Sequence, residues 1–143
     1  MASTILDLRA SIRNKVDTEF VQPIYDTGVP TTTNLVRVDG VLEPYIIVTF
    51  NDLVPGRARN MGSTRGDDYV QSVNILFVAA TPNITEQLQV KCVDKMLGFT
   101  PTYGGPLTKR AGGGGFVVQS STGVTEAYVS MVSFSCSIDR LDV

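Results

Sequence analysis

Histidine is absent from the 143-residue chain. That removes the commonest general base and metal ligand at neutral pH. It also excludes Ser-His and Cys-His nucleophile pairs and any zinc-finger spacing. Cysteine is scarce: Cys92 and Cys136 stand far apart in the sequence and make no disulfide framework. They fall in a predicted helix and a predicted strand, where they read as buried, reduced thiols acting as small hydrophobes. No apolar run approaches the roughly 20 residues that a membrane-spanning helix needs. The opening Met1-Ala2-Ser3-Thr4-Ile5-Leu6-Asp7 has no basic n-region, so no signal peptide is expected and the chain reads as cytoplasmic and soluble. Asn83-Ile84-Thr85 matches the glycosylation sequon, but a capping role explains Asn83 without it.

What remains is an ordinary globular composition, 43% apolar with a mean hydropathy of +0.11. One domain over residues 1–143 is expected, since a chain of this size can bury roughly two-thirds of its unfolded surface. The net charge of −2 is small, but its distribution is uneven. Residues 51–66 set Arg57, Arg59 and Arg65 against Asp52, a local +2. Residues 99–119 carry Lys109 and Arg110 and no acid, another +2, so the remainder of the chain is −6. Such basic segments suit acidic protein surfaces or DNA phosphate; solvated loop tips are the plainer alternative.

The first helix is the clearest predicted element. Ile5, Leu8, Ile12, Val16 and Phe20 form one narrow apolar stripe at helical spacing. Ser3 or Thr4 suits the cap, Asp7 suits the positive end of the helix dipole, and Pro23 prevents a longer helix. Val21–Asp26 reads as a short strand. Asp39-Gly40 between Leu35–Val38 and Val41–Leu42 is a two-residue hairpin signal, although one long irregular excursion before Tyr45–Phe50 is the alternative. Asp68–Ala79 is apolar on both faces, the mark of a central strand. A second helix is predicted over Asn83–Leu97, with Asn83-Ile84-Thr85-Glu86 as a capping box, Thr81 before Pro82 as a rival cap, and Gly98 as its stop. Its apolar positions form two rows, Ile84-Leu88-Cys92-Met96 and Val90-Val93-Leu97. Together they sweep about 200°, more than one sheet face covers, with Glu86 and Gln89 intruding, and two readings stand: deep burial within the monomer, or burial with an added subunit contact. Phe116–Ser120 and Val124–Ile138 are the last strands, joined near Thr122-Gly123. In the final strand Tyr128, Val132, Phe134, Cys136 and Ile138 face inward, with Ser130 an exception, while Ser133, Ser135 and Ser137 face outward. The narrow first-helix stripe and this alternation predict an α+β fold: a mostly antiparallel sheet, two helices packed on one face, and long inserted loops.

No catalytic, cofactor or metal site emerges from the residues. Gly112-Gly113-Gly114-Gly115 is not a phosphate loop, because Phe116 follows where a Walker motif needs Lys-Ser/Thr. It reads as a flexible or closely packed loop tip. Asp67-Asp68 is the only adjacent acid pair and matches no calcium loop. Segments 51–67 and 99–115 exceed the usual connection length, and loops of that length are generally functional or disordered. Arg57, Arg59, Arg65, Lys109, Arg110 and Gly112–Gly115 are therefore the candidate interface residues.

Two short motifs stand out. Tyr25-Asp26-Thr27-Gly28-Val29-Pro30 ends a short strand in a turn. Pro44-Tyr45-Ile46-Ile47-Val48-Thr49-Phe50 is a proline-led, β-branched run. With a helix before them and strand, helix and terminal strand after (68–79, 83–97, 124–138), this layout resembles the tail terminator, or tail-completion, proteins of long-tailed bacteriophages. The resemblance implies a small non-enzymatic α+β virion protein without cofactors. Such a protein forms a ring, typically hexameric, that caps the tail tube and joins it to the head. Its partners would be other copies, the tail tube protein and a head–tail connector or neck protein. DNA would be only passing cargo in the lumen, no membrane would be involved, and assembly would occur in the host cytoplasm. Two different readings stay open: another neck or connector protein of the same virion, and a small enzymatic or ligand-binding domain. The excursion between Pro30 and Pro44 and the tetraglycine arm are longer than a minimal family member would need.

Overall fold

The computed structural model describes residues 4–26, 37–38, 41–55, 69–110, 114–119 and 125–138. Two helices and nine strands are named within them. The fold is α+β, with both helices on one face of a mostly antiparallel sheet.

Helix α1 (Thr4–Glu19) forms on the predicted stripe. Leu8, Ile12, Val16 and Phe20 are buried in the main core, with Ile5 packed at its margin. The Phe20 amide still donates to the Val16 carbonyl at 3.0 Å and closes the last turn. The chain then runs into β1 (Ile24–Asp26), shorter than the predicted Val21–Asp26, and Val21 is exposed. Arg13 ties α1 to β1 through an ion pair with Asp26 and a 3.4 Å bond to the Ile24 carbonyl.

β2 (Arg37–Val38) and β3 (Val41–Leu42) pair antiparallel, Val38 opposite Val41, the register that a two-residue Asp39-Gly40 connection requires. The turn residues themselves lie outside the described residues. The pairing ends before Pro44, as a residue without an N–H demands. β4 (Tyr45–Phe50) then lies parallel to β1 and antiparallel to β6 (Tyr69–Ala79). β5 (Val54–Pro55) continues along the same side of β6, so the predicted loop 51–67 contains a strand at its start. β6 is central, between β4 and β9, which accounts for its two apolar faces.

Helix α2 (Pro82–Met96) starts one residue before the sequence indicated. Thr81 is the N-cap and Pro82 occupies the first turn, so the capping-box role expected of Asn83 is incorrect. Proline's fixed φ and missing N–H suit the first helical position, and this fixes the start upstream. Gly98 is the stop: its φ of +82 is a left-handed conformation open to glycine. Its amide donates to the Leu107 carbonyl at 2.9 Å, and the Phe99 amide donates to Met96 at 3.0 Å.

The segment after α2 is not one long loop. Gly104 bridges to Ile138, and β7 (Thr108–Lys109) pairs with β9 (Thr125–Ile138). β8 (Gly114–Gln119) pairs with the first half of β9 and includes Gly114 and Gly115. The loop-tip reading of the tetraglycine is therefore wrong for these two; Gly112 and Gly113 lie outside the described residues. Glycine is tolerated here because its amide and carbonyl serve the ladder as well as any other residue's. The turn predicted near Thr122-Gly123 also lies outside.

Each face of the sheet has its own core. The helix-side core joins both helices to Ile46, Val48, Val73, Ile75, Phe77, Val132, Phe134, Cys136 and Ile138. On the opposite face a smaller cluster comprises Tyr45, Ile47, Val78, Ala127 and Val129. β9 is thus apolar on both faces in its first half, not solvated on one side throughout as its serines had indicated.

Candidate functional site

β9 collects the basic and glycine-rich candidates along one edge of the sheet. Lys109 lies opposite Phe134, and Gly114 and Gly115 lie opposite Met131 and Ser130. The Arg110 amide donates to the Ser133 carbonyl at 2.9 Å. Cross-strand partners share a face. Lys109 is therefore on the helix side of this edge, with Phe134, and Thr108 is on the other side with Ser135. Lys109 and Arg110 are both exposed. Arg110 reaches over the helix-free face, where Nη1 donates to Ser72 Oγ at 2.7 Å. Arg57, Arg59, Arg65, Gly112, Gly113 and the pair Asp67-Asp68 lie outside the described residues.

The helix-free face divides into two halves. The apolar cluster occupies one end. At the other end the registers align Thr49 with Asn74 and Ser133, and Ser72 with Ser135 and Thr108. Ser133 Oγ donates to Asn74 Oδ1 at 2.6 Å, and Asn74 Nδ2 reaches Asn51 Oδ1 at 3.4 Å. On the helix side, Ser130 Oγ donates to Gln89 Oε1 at 2.7 Å, which satisfies the one hydroxyl that breaks the inward alternation of β9. The partners of Ser72, Ser130 and Ser133 are a guanidinium and two amides. None of these can take a proton from a hydroxyl, so the three serines are built as structure, not as activated nucleophiles.

Both cysteines are buried and free, as their sequence positions imply. Burial in apolar surroundings pushes Cys92 up to about 12 and Cys136 up to about 11. Thiols held so far above neutrality are inert, because the thiolate is the reactive form. Among the described residues no group of three or more His, Cys, Asp and Glu side chains is placed to hold a metal. No helix among them is long and apolar enough to cross a membrane.

The outer side of α2 bears on the deep-burial reading of its apolar positions. Leu88, Cys92 and Met96 face the core, whereas Val90 is 69% exposed and Leu97 51% exposed. Val93 is half-buried between them. Deep burial of the whole row is therefore incorrect: one sheet face covers only one side of a helix. Shallow depressions flank the row, lined by Asn83, Glu86, Gln87, Val90, Lys91 and Asp94 on one side and by Gln89, Val90, Val93, Asp94 and Leu97 on the other.

Tyr103 was not singled out from the sequence. It sits in the turn Pro101-Thr102-Tyr103-Gly104 with φ +65 and is 60% exposed. The available signal was the Pro-x-x-Gly spacing of a tight turn, which does not reveal which residue takes the left-handed position.

No protein family model and no curated protein matches the chain.

Proposed function

We propose that the chain is a structural virion protein. It forms a ring at the head-proximal end of the tail tube of a long-tailed bacteriophage, ends tube polymerisation there, and joins tail to head. The observation that carries this reading is how the two motif segments meet. The strand opening Tyr25–Pro30 and the strand Tyr45–Phe50 are immediate parallel neighbours. The rings of Tyr25 and Tyr45 pack edge-on, with centroids 5.7 Å apart. Tyr25-Asp26, the described part of the first motif, thus packs on the second, and strand, helix and terminal strand follow in the order the resemblance implies; residues 27–30 lie outside the described residues.

Two further features support a binding role over a catalytic one. The sheet edge at β7 is basic and exposed, and α2 turns an apolar row to solvent. Edges and rows of this kind suit contacts with other copies, with the tube subunit and with a connector.

Native mass spectrometry with electron microscopy of the purified chain, alone and with tail tube subunits, tests the proposal. The expected result is a closed ring that seats on tube ends. A monomer or dimer that turns over or tightly binds a small molecule would refute it.

A further inference from the structure

Tyr103 occupies a position that glycine fills at least cost. The Gly104 amide donates to the Pro101 carbonyl at 3.1 Å, which closes a turn whose third residue is Tyr103. A left-handed residue at that place is the signature of a type II turn, where glycine or asparagine is preferred. For other residues the conformation is unfavourable. The turn cannot relax easily. The Thr102 amide donates to Ser11 Oγ at 3.1 Å, and the Gly105 amide donates to the Ser137 carbonyl at 2.9 Å. A Cβ on Gly104 would come within 2.9 Å of Leu8 Cδ1. The strain is not repaid within the monomer, because the Tyr103 ring is mostly exposed. An exposed aromatic on a pinned turn is a pre-organised anchor for a partner.

The same chain carries a surface complementary to that anchor. The outer side of α2 combines exposed Val90 and Leu97 and half-buried Val93 with exposed Glu86 and with Asp94, which pairs with Lys95 at 3.9 Å. Lys91 lines one flank with Glu86, Val90 and Asp94 and sets its Nζ 4.9 Å from the centre of the Phe20 ring. The Tyr103 segment, by contrast, carries Lys109 and Arg110 and no acid between residues 99 and 119. The spans also agree. From the Gly104–Ile138 bridge to the Lys109–Phe134 pair is four steps along β9, roughly 13 Å. From the middle of Val93 and Leu97 to Glu86 along α2 is also roughly 13 Å.

We infer that Tyr103 anchors the contact between copies. Its ring packs on Val93 and Leu97 of the next copy while Lys109 meets that copy's Glu86. The inference rests on the ring reading and deepens it by naming the contact. Two different patches joined head to tail build a ring or a filament, not a two-fold dimer.

Sedimentation velocity across a concentration series tests it, with urea unfolding of each variant below its association range. Tyr103→Gly is expected to fold with an unfolding midpoint no lower than the parent, since the turn favours glycine. It should assemble at least about tenfold more weakly. Glu86→Lys should weaken assembly likewise, and adding Lys109→Glu should restore most of the loss. If the parent forms rings and neither single change alters their concentration dependence, the inference fails and the ring reading stands. If the parent stays monomeric with and without tail tube subunits, both fail. A Tyr103→Gly monomer less stable than the parent would overturn the strain reasoning.

Discussion

Arg9 and Gln71 offer an asymmetry that can be measured. Gln71 is fully buried on the helix side of β6, yet every polar atom of its amide is used. Nε2 donates to the Asn51 carbonyl at 2.7 Å and to the Ser72 carbonyl at 2.8 Å, and Oε1 accepts from Arg9 Nε at 3.0 Å. Removing Gln71 orphans neither carbonyl. Asn51 O keeps Arg9 Nη2 at 3.3 Å, and Ser72 O keeps the Asn51 amide at 3.0 Å. Arg9 is only half-buried, so its freed Nε can turn to water. Gln71→Met keeps most of the volume and should cost no more than about 1 kcal/mol. Removing the more exposed partner should cost more. Arg9→Met leaves Gln71 Oε1 in the core without a donor, about 1–3 kcal/mol. It also removes the guanidinium 5.5 Å from the Phe50 ring centre, about 0.5–1 kcal/mol. The double variant removes the stranded Oε1 but also both donors to the carbonyl of half-buried Asn51, so its loss should stay below the sum of the two single losses. Urea unfolding followed by circular dichroism at pH 7 completes the cycle. Additive losses, or a Gln71→Met loss exceeding that of Arg9→Met, would refute the reasoning.

The buried thiols give a pH dependence. Both are held above their ordinary value of 9.0, so the native state keeps protons that the unfolded chain releases. Their contribution is complete below about pH 9 and declines as pH rises toward the native values, by about 1.4 kcal/mol per pH unit per thiol. Cys92→Ala should flatten the alkaline fall in urea midpoint, and an unchanged slope would count against it. At Gly98 a Cβ would meet nothing within 4 Å, so Gly98→Ala should cost about 1–2 kcal/mol for the positive φ alone, with Gly98→Asn costing less in the same assay. Thr81 has the extended backbone of an N-cap but no side-chain cap bond. Thr81→Ala should therefore fall below the usual loss of about 1 kcal/mol, while a full cap penalty in thermal unfolding would show that the hydroxyl bonds in solution.

The candidate interface was partly legible in the sequence. Lys109 and Arg110 were singled out as basic residues in a segment without acids, and they are exposed together at one edge. That Gly114 and Gly115 belong to the same edge was not legible. Glycine in a strand carries no side-chain signal, and only the β9 ladder reveals its place. The second row of α2 was visible as a pattern, but periodicity counts apolar positions without saying how many a neighbouring layer covers. Tyr103 was hidden for a related reason: turn chemistry marks Pro101 and Gly104 but not the sign of φ between them.

Sequence by itself determined the elements whose cause is local. The 3.6-residue stripe made α1, β-branched runs made β4 and β6, the two-residue spacing between Val38 and Val41 suits the β2–β3 register, and Gly98 ended α2. Each depends on conformational preferences and on which side chains leave water, and both are written residue by residue. Tertiary structure alone decided the relations between distant segments. It set β1 parallel to β4, laid 104–109 along β9, and brought Arg9 to Gln71 across 62 positions. It also left Val90, Leu97 and Tyr103 facing solvent. A residue's exposure depends on what the rest of the chain brings to its side, and no local pattern encodes that.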